Sequence, residues 1–149
     1  MPSLAPEAVC FHTASEEETI ALGRELAPAL AGAVLLIGNL GAGKTTLTKG
    51  IVEGLGAAPA EAVSSPTFTL VHQYGEDVFH VDLYRLDEAR EVESLGLSDL
   101  FNTGRVVILE WAERFPELMP ADRTEIRIRA LPDETREIVI SRLYRTPDR

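Results

Sequence analysis

The sequence Gly38-Asn39-Leu40-Gly41-Ala42-Gly43-Lys44-Thr45 matches the phosphate-binding pattern G-x-x-x-x-G-K-[ST] at every fixed position. The five residues before it, 33–37, are all apolar and predict a buried strand. Residues 44–55 follow it with apolar side chains at helical spacing. Because this pattern binds phosphate where a strand is followed by a helix, we predict that the stretch is a nucleotide-binding loop.

The residue types of this loop suit a polyphosphate. Its glycines allow the backbone to approach an anion closely and to turn several N–H groups toward it. Lys44 adds a mobile cation, and the Thr45 hydroxyl, in the first turn of the helix, can ligate Mg²⁺. The predicted contacts of the nucleotide are Gly38, Asn39, Gly41, Ala42, Gly43, Lys44, Thr45 and Thr46.

Length and charge limit the kind of protein. The 149 residues, 45% of them hydrophobic, are enough for one domain, which we expect to span 1–149. The net charge of −10 repels nucleic-acid phosphates, so we expect no strong direct binding of RNA or DNA and favour a protein partner with a basic surface. Only two of the fourteen basic residues are lysines, Lys44 and Lys49, so a substitute for Lys44 is hard to find.

Cysteine content and apolar patterning indicate the compartment. The single cysteine, Cys10, excludes an internal disulfide and fits a reducing cytosol, and we expect it to be a small buried residue on a strand. Residues 1–7 carry neither a basic segment nor a long apolar run, so we expect no signal peptide. The longest apolar run is too short to span a bilayer. We therefore expect a soluble, cytoplasmic protein that does not associate with membranes.

The rest of the chain predicts alternating strands and helices. Ser15 and Glu18 form a capping box that starts the first helix, with Gly32 as its C-terminal stop, and Asp87 is expected to cap a third helix. Strands are predicted at residues 9–13, 33–37, 68–74, 78–84, 106–109, 125–129 and 137–140. We predict a single-domain α/β fold of the phosphate-loop (P-loop) NTPase type. It has a mixed, mostly parallel sheet flanked by helices, a hairpin at 67–84, a C-terminal antiparallel hairpin and a frayed tail at 144–149.

Nucleotide hydrolysis also requires carboxylates that hold Mg²⁺ and orient water. Asp82 and Glu110 each come at the end of an apolar strand, where open α/β sheets place ligands. For Asp82 the pattern leaves an exposed strand position equally open. For Glu110 a surface acid at the strand end is the less favoured alternative, because a carboxylate directly after four apolar residues needs a partner to offset its burial. Trp111 is more typical of a core or partner contact than of base stacking.

Two further features of the sequence carry weaker signals. Residues 64–67, Ser-Ser-Pro-Thr, lie where many phosphate-loop proteins have a nucleotide-sensing switch, although the segment by itself predicts only a turn. The three histidines are scattered singly, so the sequence predicts no metal-ligand cluster and favours structural roles for His12, His72 and His80.

Four segments in this order and spacing resemble the TsaE family, small bacterial ATPases of tRNA threonylcarbamoyladenosine biosynthesis. They are 38–46, Ser65-Pro66-Thr67-Phe68, His80-Val81-Asp82-Leu83-Tyr84-Arg85 and Leu109-Glu110-Trp111. The resemblance covers nearly the whole chain and implies ATP/ADP and Mg²⁺ as ligands. It also implies weak ATP hydrolysis that is stimulated by the TsaB–TsaD heterodimer, in which TsaD transfers a threonylcarbamoyl group to the adenosine beside the anticodon.

The resemblance assigns roles to particular residues. It implies that Lys44 grips phosphates, that Thr45 and Glu110 help to hold Mg²⁺, and that Asp82 supports hydrolysis. Segment 65–68 would be the switch, with Thr67 facing the nucleotide. The resemblance implies that Trp111, Tyr84 and Arg85 lie near the nucleotide or the partner surface. It also implies that Glu16 lies near the nucleotide.

Three other functions share a phosphate loop. A small-molecule kinase usually has an arginine-bearing lid, but the only arginine cluster is typical of a solvated face of alternating strands: Arg123, Arg127, Arg129 and Arg136. A GTPase switch would carry an N-K-x-D guanine-reading element, which this sequence lacks. An adaptor that binds ATP without meaningful hydrolysis stays open, because a partner can complete the site.

Overall fold

The structure, a computed structural model, describes residues 7–143, so the predicted tail at 144–149 lies outside the described residues. Its strands are β1 (Glu7–Thr13), β2 (Gly32–Ile37), β3 (Val71–Tyr74), β4 (Val78–Asp82), β5 (Val106–Glu110), β6 (Arg123–Ala130) and β7 (Arg136–Leu143). Its α-helices are α1 (Glu16–Leu26), α2 (Lys44–Gly54) and α3 (Ala89–Glu93), and short 3₁₀ turns join several elements.

All seven strands form one sheet in the order β1-β7-β6-β2-β5-β4-β3. Strand β2 lies at the centre, parallel to both β5 and β6, and β4 is parallel to β5. The outer pairings, β1 with β7, β7 with β6 and β3 with β4, are antiparallel. The predicted mixed sheet and the C-terminal hairpin are confirmed, although parallel pairing makes up half of the sheet rather than most of it.

Alternation along the central strands directs apolar side chains to both faces of the sheet. Val34 and Leu36 of β2 belong to a core beneath α1 and α2, whereas Ala33 and Leu35 belong to a second core beneath α3 and neighbouring 3₁₀ turns. The sheet is therefore flanked by helices, as predicted. Within residues 7–143, no helix combines the length and the apolar character that crossing a membrane requires.

Helices α1 and α2 pack at backbone distance, which two glycines make possible. A Cβ atom at Gly50 would lie 2.0 Å from the carbonyl oxygen of Ile20, and one at Gly23 would lie 2.6 Å from the carbonyl oxygen of Leu47. Only glycine fits such an approach without a shift of the backbone. This contact holds α2, the helix that follows the phosphate loop, against α1.

Several predicted boundaries were wrong, and local hydrogen bonds explain two of them. The first helix begins at the predicted Ser15 cap but ends at Leu26, and Gly32 belongs to β2 instead of stopping the helix. A 3₁₀ turn that contains Pro28 intervenes, because proline cannot continue the α-helical hydrogen bonding. The third helix is capped by Glu88 instead of Asp87, since Glu88 and Glu91 form the capping box.

Strand β3 is shorter than predicted. Leu70 has φ 70° and donates its N–H to the carbonyl of Pro66 at 2.7 Å, so a turn delays the strand until Val71.

Cys10 is exposed instead of buried. In β1, Phe11 packs against the core, whereas Cys10 points to the opposite face. Alternation on this edge strand therefore placed the cysteine outside.

Candidate functional site

The predicted phosphate loop, residues 38–45, connects β2 to α2, which are the strand and helix that the sequence predicted on its two sides. Gly43, the residue before α2, has φ 113°, a conformation that favours glycine. Among the described residues, no side chain caps this end of α2. The first-turn N–H groups of a helix have no partners within it, so those of Lys44, Thr45 and Thr46 are available to an anion, with the helix dipole in support.

The C-terminal hairpin supports the loop from behind. A Cβ atom at Gly38 would lie 2.6 Å from the carbonyl oxygen of Ile128 on β6, so the loop starts in backbone contact with that strand. Arg136 of β7 donates its Nε–H to the carbonyl oxygen of Ala42 at 2.8 Å. The loop is thus fixed by residues that lie far from it in the sequence.

A cleft of about 440 Å³ opens beside the loop, within the size range of small-molecule sites. Most of the predicted site residues line it, namely Glu16, Gly41, Gly43, Lys44, Thr45, Thr46, Thr67, Asp82, Glu110 and Trp111. Tyr84, Glu134 and Arg136 also contribute to its wall. Three predicted contacts, Gly38, Asn39 and Ala42, belong to the loop but do not line this cleft.

Lys44 is buried at the centre of the site. Its Nζ donates to the carbonyl oxygen of Gly38 at 2.8 Å and lies 3.8 Å from the centroid of the Trp111 ring, a cation–π contact. Burial lowers the pKa of the Lys44 ammonium from its ordinary 10.5, and three nearby carboxylates partly oppose this shift: Glu110, Glu113 and Asp82. This buried ammonium beside three acids forms a charged centre in the wall of the cleft.

Glu110 has a partner that the sequence reasoning missed. Its Oε2 lies 2.6 Å from Nε2 of His80, and both side chains are buried. Nδ1 of His80 is buried with no hydrogen-bond partner among the described residues, so the arrangement fits a neutral ring whose Nε2–H donates to the carboxylate. The alternation of His80 with Asp82 along β4 was the available signal, since it places both on one face.

The register of the sheet brings the two predicted acids together. Asp82 of β4 is aligned with Glu110 of β5 in a parallel pair, so the two side chains leave the sheet side by side. Glu113, in the turn after β5, was not predicted; its Oε1 is buried without a partner in the described part of the chain. The site therefore holds three carboxylates around Lys44.

Asp82 is buried, so the alternative of an exposed strand residue is wrong. Its Oδ1 accepts from the backbone N–H of Tyr84 at 2.9 Å. Its Oδ2 accepts from the hydroxyls of Thr67 at 3.0 Å and Ser65 at 3.4 Å. This carboxylate links β4 to the segment that the sequence suggested as a switch.

Aromatic residues form the outer side of the site. The Trp111 ring lies 5.1 Å from the ring of Tyr84, and Trp111 has φ 65°, a left-handed conformation that turns the chain directly after Glu110. Phe68 is 83% exposed, with the Arg85 guanidinium 4.8 Å from its ring. Arg85 and Phe68 thus meet at the protein surface, and their chain neighbours Tyr84 and Thr67 line the cleft.

Known proteins with similar sequences and structures identify the family of this chain. The model of the family described as "Threonylcarbamoyl adenosine biosynthesis protein TsaE" matches residues 13–138. The tRNA threonylcarbamoyladenosine biosynthesis protein TsaE of Bacillus subtilis (strain 168) is 41% identical over 136 residues, 88% of this chain and 84% of that protein. Its counterpart from Streptomyces coelicolor is 43% identical over 126 residues, 78% and 83% of the two chains. The crystal structure of Bacillus subtilis YdiB matches with a TM-score of 0.74 and 31% identity, over 93% of this chain and 87% of that one. The chain therefore belongs to the TsaE family of threonylcarbamoyl adenosine biosynthesis proteins.

Proposed function

We propose that this chain is a Mg²⁺-dependent ATPase that acts on a TsaB–TsaD complex during threonylcarbamoyladenosine modification of the tRNA adenosine beside the anticodon. One observation carries the proposal. An uncapped helix N-terminus with a buried lysine faces the Asp82–Glu110 pair across a single cleft. Phosphoryl transfer depends mainly on positioning and charge stabilisation, and these groups would supply both.

The residues present fit the nucleotide and the ion. The phosphates would lie against the first-turn N–H groups of α2 and the Lys44 ammonium, which would exchange its contact with Gly38 for them. The Thr45 hydroxyl and the Glu110 carboxylate both line the cleft and are the hard oxygen donors that Mg²⁺ prefers. Bound Mg²⁺ supplies neutralisation of phosphate charge, and Lys44, Asp82 and Glu110 would be the catalytic residues.

The remaining contacts suggest how binding could be sensed. Thr67 lines the cleft and donates to Asp82, so a nucleotide that engages either group would alter the bond between them. Segment 65–68 would then report the state of the site to the exposed Phe68 and its neighbour Arg85. Glu16, at the start of α1, lies at the opposite wall and would contact the nucleotide from there.

ATP is the proposed nucleotide because the guanine-reading element N-K-x-D is absent from the sequence. The partnership is proposed because the relatives carry the name of the tRNA modification. A net charge of −10 also favours action through a protein with a basic surface over direct contact with tRNA. A cytoplasmic location forms part of the same proposal.

The decisive experiment measures ATP hydrolysis by the purified chain, alone and with a purified TsaB–TsaD pair, with GTP as the comparison nucleotide. We expect weak basal hydrolysis and strong, ATP-selective stimulation by the pair. The proposal would be overturned if the pair stimulated hydrolysis of GTP but not of ATP. It would also be overturned if the chain bound ATP without hydrolysing it in the presence of the pair.

Two variants separate binding from chemistry. Lys44→Ala should lose ATP binding, because it removes the cation at the phosphates. Glu110→Gln should bind ATP with nearly unchanged affinity but hydrolyse it at least about 10²-fold more slowly, the scale expected when a group that stabilises transition-state charge is lost. Hydrolysis by Glu110→Gln at the wild-type rate would contradict the role of Glu110.

A further inference from the structure

Strand β1 carries two potential metal ligands on one exposed face. Cys10 and His12 are separated by one residue, so alternation directs both side chains to the same side of the strand. Cys10 is exposed and is the only cysteine of the chain, so no internal disulfide can consume its thiol. The His12 side chain is 59% exposed and its ring can rotate without disturbing the core.

Strand β7 supplies a third ligand next to these two. Glu137 is the Cα partner of His12 in the antiparallel β1–β7 register. Its Oε1 accepts from Nε and Nη2 of Arg129 at 3.2 and 2.9 Å, which fixes the carboxylate from the side of β6. Its Oε2 faces His12 Nε2 at 3.8 Å, beyond hydrogen-bonding distance. Arg129 therefore orients the Glu137 carboxylate through Oε1, and Oε2 is directed toward His12.

We propose that Cys10, His12 and Glu137 form a binding site for a zinc-class divalent cation, separate from the nucleotide cleft. Their ligand atoms lie within 4.8 Å of one another. Tetrahedral zinc requires separations of about 3.3–3.8 Å between ligand atoms of these types. Side-chain rotations that move the ligand atoms by about 1 Å are therefore sufficient. Water would complete the coordination.

The donor set selects the class of ion. A thiolate sulfur and an imidazole nitrogen favour zinc and its late transition-metal neighbours over Mg²⁺ and Ca²⁺, which prefer oxygen. Binding converts the Cys10 thiol to a thiolate and releases one proton to solvent. The thiolate and the Glu137 carboxylate then balance the two positive charges of the ion. The Arg129–Glu137 contact acts as the outer hydrogen bond that typically orients a metal ligand.

The location gives the site a structural consequence. Among the described strands, β1 pairs with β7 alone and forms one edge of the sheet. A metal bound to both strands would fasten this edge strand with a cross-link in addition to its backbone hydrogen bonds. An ion that binds only the folded sheet raises stability in proportion to the logarithm of its concentration over Kd.

The test is a Co²⁺ titration of the nucleotide-free chain in excess Mg²⁺, which occupies oxygen-rich sites. We expect one equivalent of Co²⁺ to produce the near-ultraviolet charge-transfer absorption of a thiolate–cobalt bond, and Zn²⁺ to abolish it by displacement. Cys10→Ser should eliminate the absorption, and His12→Gln and Glu137→Gln should each weaken binding about 10-fold or more. Zn²⁺ should also raise the Tm of the wild-type chain but not that of Cys10→Ser.

A matched control is His72→Gln, which removes a histidine from β3, the opposite edge strand, and should leave the titration unchanged. Absence of the absorption, or its persistence in Cys10→Ser, would overturn the proposal. Wild-type affinity in both His12→Gln and Glu137→Gln would also overturn it, because the thiol alone would then be the ligand. None of these outcomes depends on ATP hydrolysis, so the metal site and the proposed ATPase can fail independently.

Discussion

At the residue scale, the His80–Glu110 hydrogen bond is the contact whose role is easiest to test. The His80 Nε2–H contact holds the carboxylate from the side of β4, and both groups are buried. A buried acid without a donor would change its orientation or take up a proton. His80 is therefore assigned as a positioning residue for Glu110.

His80→Leu should lower the kcat of partner-stimulated ATP hydrolysis about 10- to 100-fold, the usual effect of losing an orienting partner. ATP affinity, followed by the fluorescence of the single tryptophan, Trp111, should change little. His80→Gln, which keeps an N–H donor, should recover part of the loss. Equal kcat losses in both variants, with Tm values near wild type, would contradict positioning by this bond.

The lowered pKa of Lys44 predicts that the affinity for ATP falls as the pH becomes alkaline. Burial lowers its pKa in the free protein, so above that lowered pKa the amine is neutral, whereas phosphates favour the charged form. Binding must then return a proton to Lys44, and Kd for ATP should rise up to about tenfold per pH unit as the pH climbs toward 10.5. Below the lowered pKa, Kd should not vary with pH through this group.

Calorimetry at alkaline pH, above the lowered pKa of Lys44, in two buffers of different ionisation enthalpy would detect the proton uptake on ATP binding directly. Lys49→Ala, which removes the only other lysine, is the control and should retain the pH dependence. A Kd that stays constant up to pH 10.5, or proton release on binding, would contradict this role of Lys44.

Some residues of the site could be predicted because their signals are local. Lys44 and Thr45 stand at fixed places in a motif, and Glu110 ends an apolar run. His80 and Glu113 could not be predicted in the same way. The proximity of His80 to Glu110 depends on the pairing of β4 with β5, and that of Glu113 to Lys44 depends on the pairing of β2 with β5. The cluster of Cys10, His12 and Glu137 was missed for the same reason, since only the β1–β7 register brings its members together.

At the element scale, the close packing of α1 on α2 reverses a common rule for helices. Glycine inside a helix usually costs about 1 kcal/mol relative to alanine, so Gly50→Ala would ordinarily stabilise α2. Here the added methyl group would collide with the Ile20 carbonyl oxygen. Because the obstacle is backbone, relief requires the two helices to separate.

Gly50→Ala should therefore lower the free energy of unfolding by about 1–3 kcal/mol, the usual range for overpacking. Urea unfolding of the ligand-free protein measures this change. Lys49→Ala, one residue earlier on the same helix, should stay within about 0.5 kcal/mol of wild type. A Gly50→Ala protein as stable as wild type would show that α1 and α2 can part at little cost.

Element types were more predictable than element ends. The runs that became β2 and β5 are continuous and apolar, and the run that became α2 has apolar residues at helical spacing, so burial decides their structure. The ends depend on competition between neighbouring caps and turns. Glu88 displaced Asp87 through its capping box, and the turn at Leu70 shortened β3.

At the scale of the whole molecule, the acidic surface predicts how the protein meets tRNA. With a net charge of −10, the chain should show no saturable tRNA binding tighter than about 10⁻⁶ M at physiological salt. Fluorescence anisotropy of labelled tRNA measures this, with the TsaB–TsaD pair as the positive comparison. Saturable binding by the chain alone that weakens steeply with added salt would contradict the prediction.

The strand order also has a consequence for synthesis. Among the described strands, β1 is synthesised first, yet its partner β7 is synthesised last, and β2 gains its β6 neighbour almost as late. The hydrogen bond to the carbonyl oxygen of Ala42 likewise forms only after Arg136, 94 residues further along the chain, has been synthesised. A nascent chain that stalls before β6 thus carries the full phosphate-loop sequence without the contacts from Ile128 and Arg136 that set its shape, and both β1 and the β6 side of β2 remain unpaired.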